Sequence, residues 1–174
     1  HPELPADPII VHPAVRQMLL TQKVFAEGSR ALAYYLSTYV DMAEFSNDED
    51  EKKQAENKLA LLTPIAKAFM TETGVESAKH GMQIFGGHGY IAEHGMEQIA
   101  RDARIACLYE GTTEIQAIDL LARKVIGSKG NLLKALTDEI QEFTAQHQQH
   151  DKFSAQVQQL EQLVKEWLEL TRDV

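Results

Sequence analysis

The stretch YEGTTEIQ, residues 109–116, places a carboxylate, Glu110, beside Gly111 at the start of an apolar helical pattern. The first N–H groups of a helix have no acceptor within the helix, so that end carries a partial positive charge. A glutamate there can simply favour the start of the helix. It can also act as a general base, because a flexible glycine lets the carboxylate move and lets a ligand approach the backbone. Both interpretations fit the stretch by itself.

A second cluster, QIFGGHGY at residues 83–90, contains three glycines within four residues. Glycines remove side chains where backbone N–H groups must approach another group closely, as in phosphate-binding loops. In dinucleotide-binding folds such a loop follows a β-strand, and no strand pattern precedes residue 83. By itself, the cluster is more typical of the C-terminal end of a helix.

The residues that could bind a metal or carry thiol chemistry form no recognisable set. Cys107 is the single cysteine, which excludes an internal disulfide bond and a cysteine-rich zinc site, and its apolar neighbours predict a buried thiol. His147 and His150 lie three residues apart, but no third ligand is evident. The sequence therefore predicts no metal site.

The composition is typical of one soluble globular domain, with 174 residues, 44% of them hydrophobic and 25% charged. A formal net charge of −9 gives no basic surface for nucleic acid or an anionic membrane. No apolar run is long enough to span a bilayer, and no leader for export opens the chain. HPELPADP, residues 1–8, contains three prolines and predicts an extended connector, so we expect the chain to be part of something longer.

The elements that must position Glu110 and the glycine cluster are predicted from helical periodicity. Apolar residues recur near every 3.6 positions over 11–45, which predicts a long helix. The charged residues 46–53 predict a solvated, mobile loop. A second helix follows up to Gly86, and Pro64 inside its pattern predicts either a start near Thr63, which would cap it, or a bend.

Four further helices are predicted after the glycine cluster. The third covers about 96–108, and the fourth covers 112–126, with Thr112 as N-cap and a buried stripe of Ile115, Ile118, Leu121 and Val125. Beyond the hinge GSKG, two amphipathic patterns centre on Leu136 and Leu160. No segment alternates with period two, so the predicted fold class is all-α.

Residues 83–126 resemble the C-terminal helical domain of the acyl-CoA dehydrogenase family. The resemblance rests on a glutamine-apolar-apolar-Gly-Gly element, the Gly-Tyr that follows, the Arg-Asp pair at 101–102 and Tyr-Glu-Gly-Thr at 109–112, in the order and spacing of the family. Weaker similarity extends over 11–127. It implies an up-down helical bundle at 11–127, a linker at 1–10 and the start of an additional helical segment at 128–174, as in a longer subgroup of the family.

The resemblance implies an FAD-dependent enzyme that oxidises acyl-CoA to trans-2-enoyl-CoA in the β-oxidation of fatty acids. Glu110 would remove the proton α to the thioester carbonyl while the β hydrogen leaves as hydride to flavin N5. The backbone N–H of Glu110 and a flavin ribityl hydroxyl would stabilise the developing enolate oxygen. Gly111 would line the substrate pocket, where a side chain would obstruct the acyl chain.

The resemblance also implies two groups of FAD-binding residues. Thr112, Thr113 and Glu114 would lie at the adenosine end, and Glu114 stands where some relatives have glutamine. The second group, Gln83, Ile84, Phe85, Gly86 and Gly87, would bind the flavin held mainly by a neighbouring subunit. The active sites would therefore require a homodimer or a dimer of dimers. Since the family's N-terminal and middle domains are missing from this sequence, we expect the chain alone to be inactive and free of flavin.

Two other interpretations remain open at this point. One is an acyl-CoA oxidase-like flavoenzyme on the same scaffold, in which oxygen reoxidises the flavin. The other is a non-catalytic helical interaction module, for which the amphipathic stripes would be sufficient. For the dehydrogenase, the family's usual electron acceptor is electron-transferring flavoprotein, and we expect the protein in the bacterial cytoplasm.

Overall fold

The computed structural model describes residues 3 and 5–172, and within these residues the chain contains helices and no strand, which confirms the predicted all-α fold. Two short 3-10 helices, Ile9–Val11 and Ala92–His94, and a π-helical segment, Asp119–Ile126, accompany the α-helices. The α-helices are α1 (Pro13–Phe45), α2 (Glu49–Ile84), α3 (Gly87–Tyr90), α4 (Met96–Ile105), α5 (Thr113–Ile118), α6 (Asn131–His147) and α7 (Ser154–Arg172). The chain divides into two compact units, residues 1–120 and 121–174.

The first unit is built around α2, which packs against α1, α3, α4 and α5. The helices α1 and α2 form an antiparallel hairpin: the Gln22 amide donates to the Ser77 carbonyl (2.7 Å), and the Lys58 ammonium donates to the Tyr39 hydroxyl (3.1 Å). The buried residues of the hairpin belong to α2, and α1 contributes none. They are Ala55, Leu61, Leu62, Pro64, Ala66, Val75, Ala78 and Gly81.

The predicted loop at 46–53 is wrong beyond Asp48, because α2 already begins at Glu49. The Asp48 carboxylate accepts hydrogen bonds from the backbone N–H groups of Asp50 (2.8 Å) and Glu51 (3.3 Å). This capping satisfies N–H groups that would otherwise lack partners, and acidic residues in the first turn interact favourably with the helix dipole. The charged residues from Glu49 onward therefore form the first turns of α2 and not a loop.

Of the two alternatives predicted at Pro64, a helix start near Thr63 is wrong, because α2 continues through Pro64 over 36 residues. Thr63 is no N-cap. Its hydroxyl donates instead to the carbonyl of Leu59, one turn earlier (2.7 Å). Proline removes one helical hydrogen bond, but Pro64 is buried, and packing of an apolar face contributes more to helix stability than local propensity does.

The end of α2 is close to the predicted position. The last helical residue is Ile84, and the Phe85 N–H donates to the Gly81 carbonyl (3.2 Å). Gly86 then adopts φ +59°, a left-handed conformation that glycine adopts without steric cost. The third predicted helix ends earlier than expected, at Ile105 instead of Leu108, because residues 106–110 form tight turns.

The helix after Thr112 has the predicted extent but not the predicted burial. It runs as α5 and then as a wider π-helical segment to Ile126. Ile115 and Ile118 are 53% and 56% exposed, and Leu121 is 37% exposed, so Val125 alone of the predicted stripe is buried. An amphipathic pattern shows that a face is suited to burial, but it does not show what covers it.

The second unit contains the helical pair α6 and α7, as predicted. Leu133, Leu136, Val157 and Val164 are buried between them, with Thr137 and Thr144. The hydroxyls of both threonines donate to carbonyls of their own helix, which satisfies these polar groups inside the pair. No helix in the described part of the chain has the length and apolar character needed to cross a membrane.

Candidate active site

Glu110 lies in the turn that connects α4 to α5, and its side chain is exposed. Its backbone has φ +54° and that of Gly111 has φ +93°, so two successive residues are left-handed. For a residue with a Cβ, this conformation costs about 1–2 kcal/mol. Within the described residues, the Glu110 N–H has no hydrogen-bond acceptor. The turn therefore presents a carboxylate and a free N–H donor from the same residue.

Gly111 is required at its position for steric reasons. A Cβ on this residue would lie 2.9 Å from Gln116 Nε2 and 3.3 Å from Ile115 Cγ2, and the positive φ disfavours any side chain. The Gln116 amide donates back to the Glu110 carbonyl (3.1 Å), so the first turn of α5 folds over the glycine. The sequence predicted a flexible Gly111 that admits a ligand, whereas here it is enclosed on one side by Gln116 and Ile115.

Two side chains of α2 form hydrogen bonds with the residues that follow Glu110. The Lys67 ammonium donates to the Gly111 carbonyl (2.6 Å), and the Thr113 hydroxyl donates to the Glu72 carboxylate (2.6 Å). Sequence analysis did not assign a role to either α2 residue. The partners lie 44 and 41 residues apart along the chain, and helical periodicity contains no signal for such a pairing.

The predicted adenosine-end residues Thr112, Thr113 and Glu114 form the start of α5. Thr112 is at the N-cap position with extended backbone, but its side chain makes no capping hydrogen bond. Its hydroxyl instead donates to the Glu114 carboxylate and lowers the pKa of that group, as does the Glu114 N–H. Desolvation opposes this lowering of the pKa, and the nearby Arg104 guanidinium adds to it. Glu114 is therefore a negatively charged acceptor at neutral pH. The Thr113 hydroxyl is already engaged with Glu72.

The second predicted group, residues 83–87, lies at the end of α2 and is open to solvent. Gln83, Gly86 and Gly87 are exposed, Phe85 is 51% exposed and Ile84 is half-buried. Apart from their own chain neighbours and the adjacent helix backbone, no atom of residues 3 and 5–172 lies within 4 Å of the positions where a Cβ would stand on Gly86 or Gly87. The two glycines therefore leave backbone accessible to another molecule.

The structure does not bring the two groups together. Lys67, which contacts the Glu110 turn, and Gln83 are 16 residues apart on α2, which corresponds to about 24 Å along the helix axis. Cys107 lies between the groups in sequence and is 2% exposed, so the predicted buried thiol is confirmed. One chain therefore presents two separate candidate sites.

A family model described as acyl-CoA dehydrogenase, C-terminal domain, matches residues 4–126, which is more than half of the chain. The chain belongs to the acyl-CoA dehydrogenase family. The predicted resemblance is thereby confirmed, and the match covers α1 to α5 and the π-helical segment.

Curated acyl-CoA dehydrogenases agree with this assignment. The 3-methylmercaptopropionyl-CoA dehydrogenase of Ruegeria pomeroyi is 46% identical over 135 residues, which are 78% of this chain and 23% of that protein. The broad-specificity linear acyl-CoA dehydrogenase FadE5 of Mycobacterium tuberculosis is 40% identical over 134 residues, 76% of this chain and 22% of that protein. A butyryl-CoA dehydrogenase of Syntrophomonas wolfei is 34% identical over 160 residues, 92% of this chain and 26% of that protein. The chain thus spans about a quarter of the length of these relatives.

Proposed function

We propose that this chain is the C-terminal helical part of an FAD-dependent acyl-CoA dehydrogenase that converts acyl-CoA into trans-2-enoyl-CoA, with Glu110 as the catalytic base. The observation that carries the proposal is the geometry of residue 110, an exposed carboxylate on a left-handed backbone. A strained conformation of this kind persists where the surrounding structure enforces it, and such strain clusters at functional sites. A glutamate that merely favoured a helix start would not need it.

In the proposed reaction the Glu110 carboxylate removes the proton from the carbon next to the thioester carbonyl. The electron pair of that C–H bond moves toward the carbonyl oxygen, which gains enolate character and is stabilised by an N–H donor. The unpaired backbone N–H of Glu110 is suited to this role. As the double bond forms, the β hydrogen leaves with its electron pair, and FAD, when bound, supplies the hydride acceptor at flavin N5.

The residues assigned to FAD fit such a group chemically. Glu114 is exposed and holds its negative charge, so it can accept hydrogen bonds from ribose hydroxyls or from the adenine amine. At the other position, the exposed Gln83 amide can both donate and accept, and Gly86 and Gly87 leave space for a planar ring to approach the backbone. In the proposed enzyme these two positions serve two different flavins.

The proposal therefore includes an assembly of at least two subunits, in which residues 83–87 contact the FAD of the neighbour. A dimer of dimers is the expected form. The substrate is an acyl-CoA thioester, and the electron acceptor is electron-transferring flavoprotein. Residues 1–10 serve as a linker from upstream domains, and 128–174 begin an additional helical segment.

The test is the variant Glu110→Gln in the complete polypeptide with FAD bound. Glutamine preserves shape and cannot accept the α proton, so we expect kcat to fall by a factor on the order of 10²–10⁴. The measurement is dye reduction with acyl-CoA substrates of graded chain length. Glu169→Gln, which changes an exposed glutamate on α7, is the matched control and should retain normal turnover. Near-normal turnover of Glu110→Gln would show that another group is the base.

A further inference from the structure

We infer that Lys67 is a positioning residue for the catalytic base, because its ammonium holds the left-handed turn that presents Glu110. The inference rests on the proposed role of Glu110. In this role Lys67 does not contact substrate or flavin, and it does not transfer a proton. Its effect would act through the Gly111 carbonyl, which it contacts at 2.6 Å.

Lys67 differs from three other lysines of α2, whereas Lys58 also reaches out of the helix, to the Tyr39 hydroxyl of α1. Lys52, Lys53 and Lys79 pair with glutamates of α2 itself, three residues away, as exposed lysines commonly do. Lys67 is half-buried beside the buried Ala66, and its ammonium reaches out of α2 to a backbone carbonyl 44 residues away. Burial of an ammonium is unfavourable unless it is hydrogen-bonded, so the short bond to Gly111 is a specific contact.

The contact matters because the turn is strained. Two successive left-handed residues are not a conformation that Glu110 would adopt unaided, and the turn has few other supports. Gln116 holds the Glu110 carbonyl, Glu72 accepts from Thr113, and Lys67 fixes the peptide between Gly111 and Thr112. Without Lys67 the turn can relax, and the carboxylate and N–H of Glu110 lose their fixed directions together.

Loss of positioning should appear in the rate of proton removal more than in binding. A displacement of about 1 Å at a reacting group can cost about 100-fold in rate. For Lys67→Met, which keeps most of the unbranched side chain without the donor, we expect kcat to fall about 10- to 100-fold, with KM and flavin content close to wild type. Lys67→Arg, which keeps a charged donor, should recover most of the lost rate. Lys79→Met, the same substitution elsewhere on α2, is the control and should have no effect.

The decisive experiment uses the complete flavoenzyme and a 3-thia-acyl-CoA, whose α proton can be removed but whose sulfur at the β position has no hydride to lose. Exchange of the α proton with solvent deuterium is followed by mass spectrometry. Lys67→Met should slow exchange by the same factor as kcat. When Glu110→Gln is already present, Lys67→Met should change the residual exchange by less than about 2-fold, because a positioning residue has nothing left to position.

Wild-type exchange in Lys67→Met, together with loss of exchange in Glu110→Gln, would overturn the inference about Lys67 alone. An equal further loss in the double variant would overturn it as well, because it would show an effect independent of Glu110. Undiminished exchange in Glu110→Gln would instead overturn the proposed function. If Lys67→Met loses flavin, Lys67→Leu, which also lacks a hydrogen-bond donor, is judged by the same outcomes.

Discussion

The turn at Glu110 and Gly111 concentrates several requirements on two residues. Glu110 must be acidic for the proposed chemistry and yet adopt a conformation that favours glycine. Gly111 is favoured by its backbone, with φ +93°, and by the Gln116 and Ile115 side chains close to the place of a Cβ. The conformational strain at residue 110 is offset by two hydrogen bonds. Gln116 donates to the Glu110 carbonyl, and Lys67 donates to the Gly111 carbonyl. The turn is therefore a place where stability and function oppose each other.

The variant Gly111→Ala tests how far the stability of the protein depends on the absence of a side chain at position 111. Alanine would be strained at φ +93° and would displace the Gln116 amide, so we expect the complete protein to lose about 1–2 kcal/mol of stability. Gly28→Ala is the matched control: Gly28 lies within α1 with no atom near its Cβ position, and alanine there should stabilise by up to about 1 kcal/mol. Thermal unfolding of both variants gives the comparison. A loss in Gly28→Ala equal to that in Gly111→Ala would contradict the explanation.

At the scale of elements, α2 is the helix on which the first unit depends. It supplies the buried residues of the hairpin, and it also supplies Lys67 and Glu72 to the Glu110 turn. Its length depends on the start at Asp48, where one carboxylate accepts from two backbone N–H groups. This capping extends the helix through residues whose own composition is strongly polar.

Asp48→Ala should fray the start of α2. Removal of an N-cap acid costs about 1 kcal/mol, and the loss should be confined to the first turns because Ala55 and Leu61 remain buried. Amide hydrogen exchange of peptides that cover 49–55 should accelerate, while exchange in the 65–80 region stays unchanged. Asp41→Ala, at an exposed position within α1, is the control and should leave both regions unaltered. Unaltered exchange at 49–55 in Asp48→Ala would show that the cap is dispensable.

The same elements show what sequence alone can predict. Periodicity identified α1, α6 and α7 because their apolar residues recur regularly, and the glycines marked the end of α2. Periodicity failed at Asp48, where two capping hydrogen bonds outweighed local composition, and at Pro64, where buried packing did. Glu110 and Gly111 were found through a motif, whereas Lys67 and Glu72 act through contacts more than 40 residues distant, which appear only once the chain is folded.

At the scale of the whole molecule, the chain carries apolar surface for which it supplies no cover among the described residues. Ile115 and Ile118 on α5, and Ile105 and Tyr109 beside the Glu110 turn, are each more than half exposed. Exposed apolar patches of this kind mark interaction surfaces. They agree with a chain that spans about a quarter of the length of its relatives.

We therefore expect residues 1–174, expressed alone, to bind no FAD and to show no dehydrogenase activity. The residues assigned to FAD lie in two separate places, and neither place encloses a ligand in this chain. Absorbance between 350 and 500 nm and acyl-CoA-dependent dye reduction are the measurements, with the complete polypeptide as the positive control. A yellow product, or dye reduction by the isolated chain, would contradict the expectation.

The continuity of α2 from Lys67 to Ile84 also constrains how the protein can change in evolution. Lys67, which we propose supports the base, and Gly86 and Gly87, which we propose face a neighbouring subunit, lie on or directly after this one helix, so their relative rotation about its axis depends on the number of residues between them. Insertion or deletion of a single residue between positions 68 and 82 would turn one against the other by about 100° and shift it by about 1.5 Å. We therefore expect substitutions between positions 68 and 82 to preserve the relative placement of the two sites, and insertions or deletions there to disrupt it.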